Sequence, residues 1–240
     1  MLNTRQVAGL LYSMGHTFDN LDSTYLATEE FLSTSDPHAI GSRADLDLLE
    51  DLRDAAAYTL HHDYSHGLDV DFIRGINAQL RRTAALEPGV FRDRANIMVH
   101  TMAGDYTPAV PDAARIKGIL DAANKGPGTP ADAARLFASL ARMQPFGDGN
   151  KRTALLAANG LLLMRGEDKA MIVPTTDPER HEFNKLLGDW YMKGDRAVID
   201  WLVDFNMQVD GLDDYGHPLF IASNTADQPA APERARSTAH

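Results

Sequence analysis

The chain has 240 residues, 44% hydrophobic and 24% charged, with a formal net charge of -11. That is enough apolar material for one substantial core, with room for a small appended lobe. The absence of cysteine excludes a disulfide scaffold, a thiolate zinc site and a cysteine nucleophile, and the acidic balance argues against sequence-independent nucleic-acid binding, which needs a basic footprint.

The first residues, Met1-Leu2-Asn3-Thr4-Arg5-Gln6, lack the charged and apolar regions of a secretory leader, and no run of about 18 apolar residues follows. A cytoplasmic location is expected, with neither membrane nor nucleic acid as partner. Apolar residues recur at helical spacing in Val7 to Met14, Leu46 to Leu60 and Val70 to Leu86, which predicts helices there. His62-Asp63-Tyr64-Ser65-His66 places histidines at i and i+4, a spacing that suits a metal on one helix face. The reading adopted is a polar helix end closed by Gly67, where histidine suits the C-terminal dipole.

The stretch from Pro88 to Pro108 breaks the helical pattern. Gly89-Val90-Phe91-Arg92 leads into Asn96-Ile97-Met98-Val99-His100, then the turn-prone Ala103-Gly104-Asp105 and Tyr106-Thr107-Pro108, which predicts a short β-hairpin. Helices resume over Ile116 to Ala123, Ala131 to Met143, Arg152 to Met164, Pro178 to Met192 and Arg196 to Met207. Thr129-Pro130-Ala131-Asp132 specifies one helix start: Thr129 as N-cap, Pro130 in the first helical position and an acidic first turn. Helical periodicity ends near Gly211, and Ala222 to His240 is rich in Ala, Pro, Ser and Thr, so 211–240 is expected to be a largely disordered extension.

The most informative stretch is Met143-Gln144-Pro145-Phe146-Gly147-Asp148-Gly149-Asn150-Lys151-Arg152-Thr153-Ala154. Gly147, Gly149 and Asn150 allow backbone N–H groups to turn inward at the start of a helix, whose dipole also favours an anion. Asp148 offers a hard oxygen for Mg²⁺ on a nucleotide, and Lys151 and Arg152 offer donors for phosphate. Cations beside a helix N-terminus are unfavourable unless an anion is near, so their placement favours phosphate binding. A nucleotide P-loop is excluded, because Arg152 stands where Ser or Thr must follow the lysine and no strand precedes the turn.

This run resembles the signature of the Fic family, H-x-F-x-[DE]-G-N-[GK]-R, with Gln144 in the place of the general-base histidine. The resemblance covers roughly Thr4 to Met207 and implies an all-α helical bundle with a β-hairpin flap. On that basis residues 1–40 form an N-terminal helical segment, 41–210 the Fic-like core and 211–240 an extension. The implied activity is transfer of AMP from Mg·ATP to a hydroxyl of a target protein. Asp148 would hold Mg²⁺, Gly149, Asn150 and Lys151 would line the anion hole, and Arg152 would grip phosphate. The flap, Ile97, Met98, Val99 and His100, would pair with an extended segment of the target.

Phe183 falls near the position of an aromatic residue that contacts nucleotide in the family, although a core role ranks first. One class of the family carries an inhibitory helix, [ST]-x-x-x-E-[GN], whose Glu pairs with the motif's last arginine and blocks productive ATP binding. The corresponding residues are Gly15-His16-Thr17-Phe18-Asp19-Asn20, with Asp19 for Glu; Asp19 could equally be a helix cap or turn residue. The family's second arginine, three residues after the first, is Leu155 here. A neutral amide at 144 has no useful basicity near pH 7. Three readings follow: a weak adenylyltransferase, a noncatalytic nucleotide- or protein-binding module, and a phosphotransferase similar to the Doc toxin, which shares the lysine.

Overall fold

The computed structural model describes residues 2–83, 87–95 and 97–221. Among them are nine helices: α1 (Thr4–Asp19), α2 (Tyr25–Thr34), α3 (Arg43–Leu60), α4 (Val70–Asn77), α5 (Ala113–Lys125), α6 (Pro130–Met143), α7 (Asn150–Met164), α8 (Glu179–Lys193) and α9 (Ala197–Gln208). Strands β1 (Val99–Thr101) and β2 (Gly104–Tyr106) lie between α4 and α5, and β3 (Val209–Leu212) and β4 (Pro218–Phe220) follow α9. The expected all-α class holds, with the first hairpin where the sequence placed it.

Helix α7 is the axis. It is apolar around its whole circumference, with Ala154, Leu155, Leu156, Ala157, Ala158 and Leu161 all buried, and such a helix must be enclosed by others. Helix α6 packs on it most extensively, and α3, α4 and α1 close around it. Leu11 and Met14 of α1 belong to the same buried cluster as α7 and the α9 residue Leu202, so the N-terminal helix shares the central core.

Local chemistry fixes the helix ends that matter for function. Asn3 and Gln6 form a reciprocal capping box at the start of α1, and Thr129 and Asp132 form another at the start of α6, with Pro130 in the first turn. Each such cap contributes about 1 kcal/mol. Helix α1 ends at Asn20 and α6 at Gln144, both in the left-handed conformation with φ of 55° and 49°. These two ends bring Asp19 and the loop 144–149 to the start of α7.

Four expectations need correction. The predicted helix from Val70 stops at Asn77 and gives way to turns through Thr83, because side chains of Asn77 and Asp51 recruit the backbone here for tertiary hydrogen bonds; Leu86 lies outside the described residues. Helix α2 had no counterpart in the apolar pattern, since it buries only Tyr25, Thr28 and Phe31. The first hairpin turns at Met102 and Ala103, with Gly104 opening β2, and Ile97 and Met98 precede β1. Finally, the extension expected from Gly211 begins with the β3–β4 hairpin, which buries Val209 and Leu212. Residues 222–240 lie outside the described part.

Candidate active site

The loop from Gln144 to Gly149 is closed by one side chain. Asn150, the first residue of α7, accepts from Phe146 N–H at 2.8 Å and donates to the Phe146 carbonyl at 2.9 Å, reproducing both bonds of a strand pair. Phe146 is buried and its ring meets Phe91 at 5.1 Å, where an isolated antiparallel bridge joins the two residues. Asn77 braces the far side: its Nδ2 donates to the Asp148 carbonyl at 3.0 Å and to Thr153 Oγ1 at 3.1 Å, and its Oδ1 accepts from Gly89 N–H. Gly149 has φ of +70°, and a Cβ there would sit 2.4 Å from Leu80 Cδ1. Only glycine fits, for backbone and for space.

Helix α7 begins without a side-chain cap, as do α8 and α9, whereas α1 to α6 all have one. Its first-turn amides and dipole therefore lack an intramolecular acceptor from a capping residue. The Gly149 amide is the exception, since it donates to Asp148 Oδ1 at 2.6 Å.

Arg152 is 97% enclosed, with side-chain exposure of 3%, and sits among three oxygens. Its Nη1 donates to Thr83 Oγ1 at 2.8 Å, its Nη2 lies 3.5 Å from Asp148 Oδ2, and its Nε lies 3.6 Å from Asp19 Oδ1. Thr83 is itself held by Asp51, a fully buried carboxylate of α3 that accepts from Thr83 N–H and Oγ1, both at 2.9 Å, and from the amides of Arg81 and Arg82. The guanidinium is thus positioned by a chain of contacts from α3.

Asp19 sits at the C-terminal end of α1, the wrong end for a negative charge. Its Oδ2 is buried without a hydrogen-bond partner, and burial raises its pKa, opposed by Arg152 and Lys151 and reinforced by Asp148. These unfavourable terms accompany the contact with Arg152. Lys151 places Nζ 4.8 Å over the Phe18 ring; burial lowers its pKa, Asp19 counteracts that, and Arg152 adds to it. Residues 18 and 19 of α1 therefore meet residues 151 and 152 of α7 in one cluster.

Gln144 is buried, and its carboxamide folds back, Nε2 donating to the Ala141 carbonyl at 2.7 Å. Beside it lies Tyr191, a buried phenol without a hydrogen-bond partner for its hydroxyl; burial pushes its pKa up, against a lowering by Gln144. The Gln144 carbonyl accepts from Arg92 Nε at 2.6 Å. Arg92 is buried and spends its other donors on the carbonyls of Met143, Arg94 and Ala109. One cation ties both feet of the β1–β2 hairpin to the C-terminal end of α6, where a positive charge is favourable.

The hairpin is a two-stranded sheet in the register Val99↔Tyr106, His100↔Asp105, Thr101↔Gly104. Its outer edges carry no further strand among the described residues. It rests on α8, where a Cβ on Gly188 would meet Thr101 at 3.1 Å and Tyr106 packs on Tyr191. Met98 and Met102 are exposed, while Ile97 and Val99 are half-buried.

The sequence-derived residues Gln144, Gly147, Asp148, Gly149, Asn150, Lys151, Arg152 and Asp19 thus come together at one end of α7. Phe183 does not reach the surface: it is fully buried, packed on Phe18, Phe137 and Trp201, so it supports Phe18 from behind and cannot touch a ligand in this conformation. His62 lies in an aromatic cluster, its ring 4.5 Å from that of Phe72. Asn77, Thr83, Asp51, Arg92 and Phe18 were missed. One signal was available, a carboxylate at Asp51 on the apolar face that contains Leu48 and Leu52.

Among the described residues no three His, Asp or Glu side chains gather to hold a metal. A divalent ion at this loop would rest on Asp148, whose side chain is 55% exposed, plus oxygens of a ligand; Mg²⁺ is commonly held by one or two carboxylates and substrate phosphates, so the residues fit. No helix of the described residues is long and apolar enough to cross a membrane.

This helical arrangement, an enclosed helix entered through the 144–149 loop and overhung by a hairpin, is that of Fic-domain proteins. It is shared with a Fic-domain signalling protein of Bacteroides thetaiotaomicron VPI-5482, with a TM-score of 0.62 at 21% identity over 83% of this chain and 80% of that one. It is also shared with Fic-1 (residues 134–508) of C. elegans, with a TM-score of 0.62 at 21% identity over 82% of this chain and 58% of that one. A Fic family protein of Desulfovibrio desulfuricans G20 gives a TM-score of 0.63 at 15% identity, over 84% of this chain and 63% of that one. The chain thus spans about three fifths of the length of the latter two. No curated protein sequence matches it significantly. Residues 67–162, from the approach to α4 through the β1–β2 hairpin, the motif and most of α7, match the Fic/DOC family, and this segment is of that family's type.

Proposed function

We propose that this chain is a Fic-type protein adenylyltransferase, working in the cytoplasm, whose turnover is low because Gln144 replaces the general base. The observation that supports it best is Arg152, enclosed and oriented at the uncapped start of α7 by Thr83, Asp148 and Asp19. An enclosed cation at a helix N-terminus is suited to a phosphate oxygen. In this reading ATP takes the place of Asp19 on Arg152, and its phosphates meet the amides of Asn150 and Lys151. Asp148 would hold Mg²⁺, which would supply charge neutralisation on the phosphates, and the Gly149 amide that Asp148 now engages would then be free to donate to them.

The target hydroxyl oxygen then bonds to the α-phosphorus, the bond to the bridging oxygen breaks, pyrophosphate leaves, and the hydroxyl proton goes to solvent. That last transfer lacks a positioned acceptor, because the Gln144 carboxamide is neutral and engaged with Ala141. A missing base costs about 10²–10⁴-fold in rate. The open edges of β1–β2 would register an extended target segment by main-chain pairing. A protein target accords with IbpAFic2, which has been solved covalently tethered to Cdc42 and has a TM-score of 0.53 to this fold at 17% identity, over 85% of this chain and 61% of that one. Asp19 would act as the inhibitor.

The inward-facing carboxamide of Gln144 favours a second reading, a noncatalytic module that binds nucleotide or protein. Lys151 keeps a Doc-like phosphotransferase in the comparison. ATP labelled at the α- or γ-phosphate, supplied to a lysate with this chain and with Gln144→His, separates the three. α-Label on a protein is expected; γ-label would assign phosphate transfer, and ATP binding without transfer by either form would assign the module.

A further inference from the structure

The hairpin does not end the surface available to a target. Cavities of about 300 and 360 Å³ share Arg115, Ile119, Ser139 and Met143, and together they make a trough between α5 and α6. The trough begins at Tyr106 and Pro108, the foot of β2, and so adjoins the hairpin. Its floor is apolar, with half-buried Ile119, Met143 and Trp190. Gly118 opens onto it, with nothing within 4 Å of a Cβ placed there.

Its rim is cationic in an acidic protein. The side chains that line it include Arg115, Arg135 and Arg142 against Asp112 and Asp132, a net of +1, within a chain of net -11. Arg135 is paired with Asp132 at 2.9 Å. Arg115 is exposed and makes no ion pair among the described residues, and Arg142 makes none either: it donates Nε to the Tyr191 carbonyl and stacks its guanidinium 5.5 Å over Trp190. Two uncompensated guanidinium groups flank an apolar floor beside the site of modification.

We propose that this trough is a specificity surface that docks an acidic, partly apolar segment of the target protein, adjacent in its chain to the modified hydroxyl. The proposal rests on the reading of β1–β2 as the target-capturing hairpin. Carboxylates of the segment pair with Arg115 and Arg142, and an apolar side chain lies on Ile119 and Met143. Because the chain as a whole is acidic, with a net charge of -11, two unpaired guanidinium groups beside an apolar floor favour an acidic segment there, and complementarity of this kind sets partner choice and encounter rate.

The test measures fluorescence anisotropy with a labelled peptide, Glu-Asp-Leu-Glu-Phe-Asp-Glu-Glu, and with the same peptide carrying the neutral Gln or Asn at every acidic position. The acidic peptide should bind the full chain, the neutral one should bind at least roughly tenfold more weakly, and Arg115→Glu should weaken binding of the acidic peptide roughly tenfold; equal binding of the neutral peptide would also overturn the proposal. Lys117→Glu, the same charge change on α5 outside the trough, should have little effect. No binding of the acidic peptide, equal binding by Arg115→Glu, equal loss in Lys117→Glu, or displacement of the peptide by an equal concentration of single-stranded oligonucleotide would overturn it. Calorimetry of Mg·ATP on Arg115→Glu reads the nucleotide site separately: absent ATP binding counts against the adenylyltransferase reading and leaves the peptide result to judge the trough.

Discussion

Replacing Asp19 with Ala should tighten Mg·ATP binding. Asp19 Oδ1 stands 3.6 Å from Arg152 Nε with 23% of its side chain exposed; at an effective dielectric near 20, two unit charges at that separation attract by about 4–5 kcal/mol. Desolvation of the carboxylate offsets much of this, as the unpartnered Oδ2 and the raised pKa attest. The carboxylate is thus a net cost to the fold, but its pairwise coupling to Arg152, about 1–2 kcal/mol for charged groups in contact, must be given up when ATP takes the guanidinium, so the variant should bind roughly 5–30-fold tighter.

The same contact predicts a pH effect. A carboxyl whose folded pKa is raised contributes stability that is fully present below its unfolded value, near 3.9, and lost as pH rises through the folded one. Asp19→Asn should therefore be more stable than the parent at neutral pH, with the gap closing on acidification. Protonation also removes the Arg152 pair, so the affinity advantage of Asp19→Ala should shrink over the same range. Titration calorimetry with Mg·ATP on the parent and the Ala variant, and thermal melts of the parent and the Asn variant, at several pH values read both effects. An unchanged Kd, or a gap that does not respond to pH, would refute the reasoning.

Other consequences follow from the same cluster. Gln144→His should raise AMP transfer, since it restores a group with an ordinary pKa near 6.5, and the Asp19→Ala background should raise it further; labelled transfer no greater than the parent's would contradict this. Thr83→Val removes the hydroxyl between Asp51 and Arg152 and should lower stability by about 1–2 kcal/mol, with ATP affinity falling several-fold beyond any change in melting temperature; unchanged affinity would mean that Arg152 needs no such guide. Met98→Pro, just ahead of β1, should reduce target labelling in the Gln144→His background at unchanged ATP affinity, because the edge loses a donor there; undiminished labelling would make the hairpin a connector.

The motif and its helix were legible because their signals are local. Thr129, Pro130 and Asp132 write the start of α6 in adjacent residues, and the loop residues 144–152 act on one another within a single turn. Contacts made across the chain were not legible. Asp51 recruits amides 81–83 and Asn77 reaches residues 89, 148 and 153, so the apolar rhythm from Val70 continues past the point where the helix stops. Arg92 gives no pattern of its own, since all its partners are carbonyls distributed over Arg94, Ala109, Met143 and Gln144. Phe183 was legible as a core aromatic, the role ranked first for it, and it is fully buried; the nucleotide contact that the family position suggested is blocked by packing that places the ring one layer deeper. The β3–β4 hairpin was missed because only Val209 and Leu212 of its strand residues are buried, too few for an alternation to register.

The most direct test of the nucleotide site is calorimetric titration of Mg·ATP into the parent, Arg152→Ala and Asp148→Ala, each confirmed as folded. The cluster at the start of α7 predicts magnesium-dependent binding by the parent and weaker binding by both variants, with Arg152→Ala the more damaging because that guanidinium is enclosed and oriented. Binding of equal strength in all three proteins would contradict the assignment of the loop to ATP.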